Sequence, residues 1–133
     1  MTVIVCLDNA NGMMFNNRRQ SRDANVVKDI CETATGKRLL VGPYSAPLFG
    51  ENDVIVSECF LDEARADDYC FVENVPMAKY LNKIDSIIVY KWNRDYPSDF
   101  FFDIDYASVF RLESEAEFVG TSHDKITKEV YVK

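Results

Sequence analysis

Apolar positions along this chain fall in short runs separated by polar turns. Thr2 to Leu7 (TVIVCL) is a β-branched run and predicts a buried strand. Asp8 to Asn17 (DNANGMMFNN) begins as a turn because of its Asn and Gly content, after which Met13, Met14 and Phe15 must dock on something. Ser21 or Asp23 caps a helix. Val26, Val27, Ile30, Cys31 and Ala34 then give the spacing of one buried helical stripe, and Gly36 fits the position just past its end. Arg38 to Val41 is the next strand. Ser45 caps a short helix, Ala46 to Phe49, with Pro47 in its first turn, and Val54 to Ser57 is a third strand.

Residues 61–68 (LDEARADD) read as loop or a solvated helical turn, and Tyr69 to Val72 as a fourth strand. Asn74 caps a second short helix that points Met77, Tyr80 and Leu81 inward. Ser86 to Trp92 (SIIVYKW) is the strongest strand. FFFDI (100–104), VFRLE (109–113) and ITKEVYV (126–132) follow with little helical period, the last two alternating as a half-solvated antiparallel pair does. Strand–helix units followed by strands predict parallel crossovers with an antiparallel edge. The expected fold is α/β, a single domain over residues 1–133 with a mixed sheet flanked by helices.

Composition narrows the classes. The chain has 133 residues, 47% of them hydrophobic, which excludes a disordered polymer. A net charge of −7 argues against general nucleic-acid binding, which draws its affinity from Lys and Arg on phosphates. No apolar run approaches the ~20 residues that span a bilayer. The N-terminal MTVIVCLDNA shows no secretory signal, so the cytoplasm is the expected compartment. Cys6, Cys31, Cys59 and Cys70 form no CxxC pair and each lies in an apolar stretch, so all four read as buried free thiols.

Arg18, Arg19 and Arg22 cluster just before a helix in an otherwise acidic chain. Guanidinium forks beside helix N–H groups suit a phosphate or carboxylate. The same residues also fit a solvated loop paired with Asp8, Asp23 or another carboxylate. Asp29 and Glu32 lie away from the apolar stripe and read as solvated, leaving Asp23 as the nominated general acid. Tyr90, Trp92, Tyr96 and Phe100 to Phe102 concentrate aromatic surface. It reads as core under a loop, or as a stacking platform in which Tyr90, Trp92 and Arg94 hold a ring. His123 is the only histidine, which rules out a two-histidine metal centre within the chain; no metal site is expected. It reads as a turn residue, and a serine nucleophile would have only His123 as its base. Walker, GxGxxG, GxSxG and HExxH motifs are all missing.

In element order the chain resembles a shortened member of the dihydrofolate reductase family. VIVCLDNANG resembles that family's first strand and substrate loop. TGKRLLVGPYSAPLF resembles its helix end, strand and Gly-Arg-x-Thr element, and DYCFVENVPMAKYLNKIDSIIVYKW its strand, Gly-Gly, helix and strand. FFFDIDYASVFRLES with KITKEVYVK resembles its terminal hairpin. The resemblance implies NADPH as cofactor if the activity is retained, with Gly42 and Ser45 at two of the cofactor-binding positions. Four departures stand against that activity. Glu73-Asn74 replaces the Gly-Gly turn and sets a carboxylate where a pyrophosphate would lie. Pro43 stands at the Arg position. A strand and helix are missing between Val54–Ser57 and Tyr69–Val72. Counting back from Gly42, the family's catalytic carboxylate falls at Val26, with Asp23 about one turn earlier.

NGMMFN, RRQSRD, YCFVEN and KWNR also resemble short bacterial proteins described as ribonuclease Z, an enzyme family whose His-x-His-x-Asp-His metal motif is missing here. The leading functional expectation is a non-catalytic or barely catalytic binding module for a small anionic or nucleotide-like ligand on a reductase-like scaffold. An NADPH-dependent reductase and a protein-interaction module are the alternatives, and ribonuclease chemistry has the least support.

Overall fold

The β-branched N-terminal run forms strand β1 (Thr2–Leu7), and its side chains divide between two cores. Val3, Val5 and Leu7 enter one and Ile4 the other, as a strand's two-residue period requires. The computed structural model describes residues 1–133. After β1 come β2 (Gly12–Phe15), β3 (Arg18–Arg19), helix α1 (Ala24–Thr33), β4 (Leu39–Val41), a 3-10 turn at Ala46–Phe49, β5 (Ile55–Val56), α2 (Phe60–Glu63) and β6 (Tyr69–Phe71). A second 3-10 segment at Ala78–Lys83 leads to β7 (Ser86–Lys91), β8 (Phe100–Phe101), α3 (Tyr106–Val109), β9 (Arg111–Phe118) and β10 (Ile126–Val132).

Seven strands make one sheet in the order β5-β4-β6-β1-β7-β10-β9, and β3-β2-β8 make a small second sheet. The contacts among β5, β4, β6, β1 and β7 are parallel, while β10 runs antiparallel to both β7 and β9. This is the mixed sheet expected from the element order, in a single compact α/β domain. One face is covered by α1, whose Val26, Ile30 and Ala34 pack with Ile4, Phe71, Ile88 and Tyr90. The other is covered by Phe60, Leu61 and Met77 and by the segment carrying Phe102, Ile104, Tyr106 and Phe110. Each fully buried aliphatic or aromatic side chain contributes about 1.5–3 kcal/mol of transfer free energy. Gly36 follows α1 at φ +81°, the left-handed region that favours glycine. No helix is long and apolar enough to cross a membrane.

Several local expectations are corrected. Asn74 is exposed and caps nothing; the carboxylate of Asp103 accepts from the N–H groups of Met77 (2.8 Å) and Ala78 (3.1 Å) instead. Ser45 makes no capping bond because its hydroxyl is used elsewhere. Within FFFDI only Phe100 and Phe101 are strand, and they pair with β2 rather than with the terminal hairpin. Val109 ends α3, so the strand expected at 109–113 begins at Arg111 and runs to Phe118. β5 is an exposed edge, Phe15 stays at the surface, and Cys59 is exposed rather than buried. Asp29 is not simply solvated: it accepts from the Tyr90 hydroxyl at 2.5 Å and pairs with Lys128 at 2.8 Å.

Asp103→Ala should lower stability by about 1 kcal/mol, the usual cost of losing a helix cap. Asn74→Ala should stay within about 0.5 kcal/mol of the parent. Urea denaturation of both variants checks the assignment, and the opposite ranking would restore Asn74 as the cap.

Candidate functional site

Parallel strands with helical crossovers leave a crevice at their carboxyl ends, where ligands of open α/β sheets bind. Here β1, β4, β6 and β7 lead into Asp8, Gly42, Glu73 and Trp92 at that end. Asp8 is buried and accepts from the N–H groups of Gly12 (2.7 Å) and Ala10 (2.9 Å), from Ser98 Oγ (2.7 Å) and from Gln20 Nε2 (3.0 Å). Burial alone would raise its pKa; the donated bonds outweigh burial and hold it below the ordinary carboxylate range. This network folds the loop after β1 back over the crevice.

Glu73, the residue two past the end of β6, is buried in a second network. Arg19 donates to it twice, Nε to Oε2 at 2.9 Å and Nη2 to Oε1 at 3.0 Å, and Ser45 Oγ donates to Oε1 at 2.7 Å. The fork of bonds to Glu73 raises the Arg19 pKa against the opposing effect of burial. The guanidinium also lies 4.8 Å from the Tyr44 ring centre. Arg19 is therefore committed to an internal ion pair and is not free for an external anion. The repulsion expected from Glu73 is neutralised by the same pair, and the obstacle to a dinucleotide becomes a filled, hydrogen-bonded turn in place of bare glycine backbone. Cys6 lies beside this cluster, where burial and then the Glu73 carboxylate push its thiol well above the ordinary range.

The third network joins the N-terminus of α1 to the loop before β10. Asp23 is the N-cap of α1 and accepts from Asn25 N–H at 2.9 Å. The same carboxylate accepts from Thr121 N–H (2.9 Å), Thr121 Oγ1 (3.1 Å), Ser122 N–H (2.8 Å) and His123 Nδ1 (2.9 Å). A Cβ on Gly120 would meet Asp23 Oδ2 at 2.3 Å, so only glycine lets this loop close on the carboxylate. Burial opposes ionisation of Asp23, but these bonds prevail and hold its carboxyl far below the usual range. Asp23 is therefore a cap held in its ionised form at neutral pH, which corrects its nomination as a general acid. The imidazole of His123 is buried and stacks on Trp92 with ring centres 4.5 Å apart and planes at 22°. Its Nε2 lies 3.0 Å from both Ser21 Oγ and Tyr96 Oη.

These networks surround two connected spaces. A cavity of about 20 Å³ lies between α1 and the ends of β1 and β6, lined by Cys6, Ser21, Val26, Phe71 and Glu73. An open groove of about 1000 Å³ runs between α1 and residues 47–53, with Lys28 and Lys37 along it. Arg22, Asp23, Val27 and Leu48 line both spaces. Gln20 Oε1, buried without a donor, belongs to a residue on the cavity wall.

The three arginines expected to act together diverge. Arg18 is exposed in β3 and lines a separate hollow with Phe15 and Tyr96, Arg19 holds Glu73, and Arg22 alone sits at the junction of groove and cavity with no carboxylate partner. Tyr90 is fully buried and Trp92 nearly so, because β7 runs through the centre of the sheet; neither offers a face for stacking, and Arg94 is exposed away from them. A Cβ at Gly42 would contact Phe60 at 3.2 Å, and Ser45 serves Glu73, so both expected cofactor positions are turned to internal packing. No three His, Cys, Asp or Glu side chains gather closely enough to hold a metal ion. The residues missed as a site are His123, expected in a turn and otherwise only as the one base open to a serine, and Ser21, considered only as a cap. Ser21 is two residues from Asp23, but His123 is 100 residues from it and gives no local signal.

Neither a family model nor a curated protein sequence matches the chain. Among solved structures it is similar to the dihydrofolate reductase of Enterococcus faecalis complexed with NADP(H) and RAB-propyl. The TM-score is 0.70 at 14% identity, over 98% of this chain and 94% of the other. The expected reductase-like fold is thereby shown, and at that identity the likeness concerns the fold.

Asp23→Asn should cost about 1.5–3 kcal/mol at neutral pH, the range for hydrogen bonds to a charged group. Because the folded-state pKa of Asp23 is depressed, its contribution is complete above the unfolded value near ~3.9 and is lost as pH falls toward the folded value. Urea midpoints should therefore fall more steeply below pH ~4 in the parent than in the variant. Parallel acid profiles would refute the assignment.

Proposed function

We propose that this chain is a binding module for a small anionic ligand of nucleotide size, seated in the groove beside α1 and reaching toward the strand ends. The observation that carries this reading is Arg22, an uncommitted guanidinium at the junction of the groove and the inner cavity. An arginine fork in that position offers paired N–H donors to a phosphate or carboxylate. Lys37 adds a cation along the groove, where Lys28 is paired with Glu32 at 4.0 Å and Glu51 and Asp53 also line the wall, and Gln20 Oε1 is an acceptor in want of a donor.

The alternative, hydride transfer from NADPH, draws on the likeness to a reductase solved with NADP(H). Against it stands the Glu73–Arg19–Ser45 cluster at the strand-to-helix turn. Opening that turn for a pyrophosphate would strand a buried carboxylate and a guanidinium, and breaking such a pair costs about 3–5 kcal/mol. Ribonuclease Z chemistry would need a cluster of metal-binding side chains, and the one histidine is already engaged with Asp23.

Isothermal titration with AMP, inorganic phosphate and NADPH tests the reading. AMP should bind, and Arg22→Ala should weaken it by about tenfold, or ~1.4 kcal/mol. NADPH should not be consumed with dihydrofolate present. Steady NADPH oxidation, or AMP affinity indifferent to Arg22, would contradict the proposal.

A further inference from the structure

Ser21, His123 and Asp23 stand in one hydrogen-bonded line. Ser21 Oγ is 3.0 Å from His123 Nε2, and His123 Nδ1 is 2.9 Å from Asp23 Oδ2. Nucleophilic catalysis asks for this relation: a hydroxyl against a base, and the base oriented by a third group. Asp23 is held from several directions by Asn25, Thr121 and Ser122, so it can fix the imidazole with its proton on Nδ1 and leave the Nε2 lone pair toward Ser21. Trp92 stacked beneath the ring fixes its plane. Ser21 is only half-buried and faces the cavity at the carboxyl ends of β1 and β6, where the fold places ligands. The backbone N–H of Arg22, directly after Ser21, makes no hydrogen bond to backbone within the chain, and the N–H just after a nucleophile is one of the donors that stabilise an oxyanion.

We propose that Ser21 is an acyl-accepting nucleophile with His123 as its base and Asp23 as the positioning residue, acting on a small ester whose anionic part is held by Arg22. This rests on the groove being the ligand site but not on which anion fills it. As Ser21 Oγ bonds to the ester carbonyl carbon, its proton passes to His123 Nε2. Collapse of the tetrahedral adduct breaks the bond to the alcohol oxygen, which leaves with the proton from Nε2. Water then attacks the acyl-serine, giving one proton to Nε2, and the acid departs as Ser21 Oγ recovers that proton. The net change is ester plus water to acid plus alcohol, with no redox partner. The open groove of about 1000 Å³ has room for the body of the ester, while the inner cavity of about 20 Å³ beside Ser21 has room for about one water-sized group.

Tyr96 separates this role from a purely structural one. Its hydroxyl is also 3.0 Å from Nε2, and a neutral imidazole with its proton directed to Asp23 has a single lone pair there. Tyr96 and Ser21 therefore compete for one acceptor. If His123 merely pins the loop to α1, removing either hydroxyl changes stability alone. If His123 activates Ser21, Tyr96→Phe frees the base and speeds the serine.

Treatment of the intact protein with an alkyl fluorophosphonate, followed by mass spectrometry of the whole chain and its peptides, tests the proposal. One adduct should form, on Ser21, with none in Ser21→Ala. Labelling should slow by about 100-fold or more in His123→Gln, the scale seen when a triad member is removed. It should quicken severalfold in Tyr96→Phe and stay unchanged in Ser114→Ala, an exposed site on β9. If His123→Gln fails to fold, Tyr96→Phe decides. Absence of an adduct on the folded parent, an adduct on another serine, or a Tyr96→Phe rate no faster than the parent would overturn it. AMP binding without an adduct would sink the nucleophile and spare the anion site; an adduct without AMP binding would uphold the nucleophile and remove AMP as the groove's ligand.

Discussion

The buried carboxylate of Asp23 is the constraint on which the site depends. It caps the start of α1, receives the backbone of the loop at 121 and 122, and orients His123. A charge removed from water is tolerated only when its lone pairs are filled, and here, Asn25 apart, the filling comes from groups 98–100 residues away in the chain. The terminal hairpin is thereby tied to the first helix across the mouth of the crevice. Gly120 is the price of that contact, since any side chain there would collide with the carboxylate.

A second buried carboxylate gives the molecule its departure from the fold it shares. The chain shares its fold with a reductase solved with NADP(H), at 14% identity. At the turn after β6, Glu73 is paired with Arg19 from β3 and bonded by Ser45. The three elements that meet at this corner are locked together by charge. A scaffold does not carry its chemistry with it, and the groups at the strand ends decide what can bind.

Where the sequence could be read, one physical signal dominated its neighbourhood. TVIVCL and SIIVYKW are apolar enough to be buried on both faces, and the stripe of Val26, Ile30 and Ala34 has no competing period. The small sheet escaped because its strands are two to four residues long and pair with distant partners. One cue was present: Asn16 and Asn17 both adopt positive φ, 51° and 60°, as the two central residues of a type I′ hairpin do. The site was less legible than the fold. The arginine cluster looked continuous in RRQSRD, yet of the two arginines that line one hollow Arg19 is drawn inward to Glu73 while Arg18 stays exposed. Tyr90 and Trp92 looked like a platform, but they belong to a central strand and its immediate end. Nothing in GTSHDKI announces that His123 will lie between Asp23, Trp92 and Ser21.

His123 is the only histidine, so its imidazole can be observed without ambiguity by long-range proton–nitrogen NMR on uniformly labelled protein. The account predicts a proton on Nδ1 directed at Asp23, strongly deshielded and lost in Asp23→Asn, with Nε2 presented to Ser21. A ring protonated on Nε2, or one whose signals ignore the loss of Asp23, would contradict it.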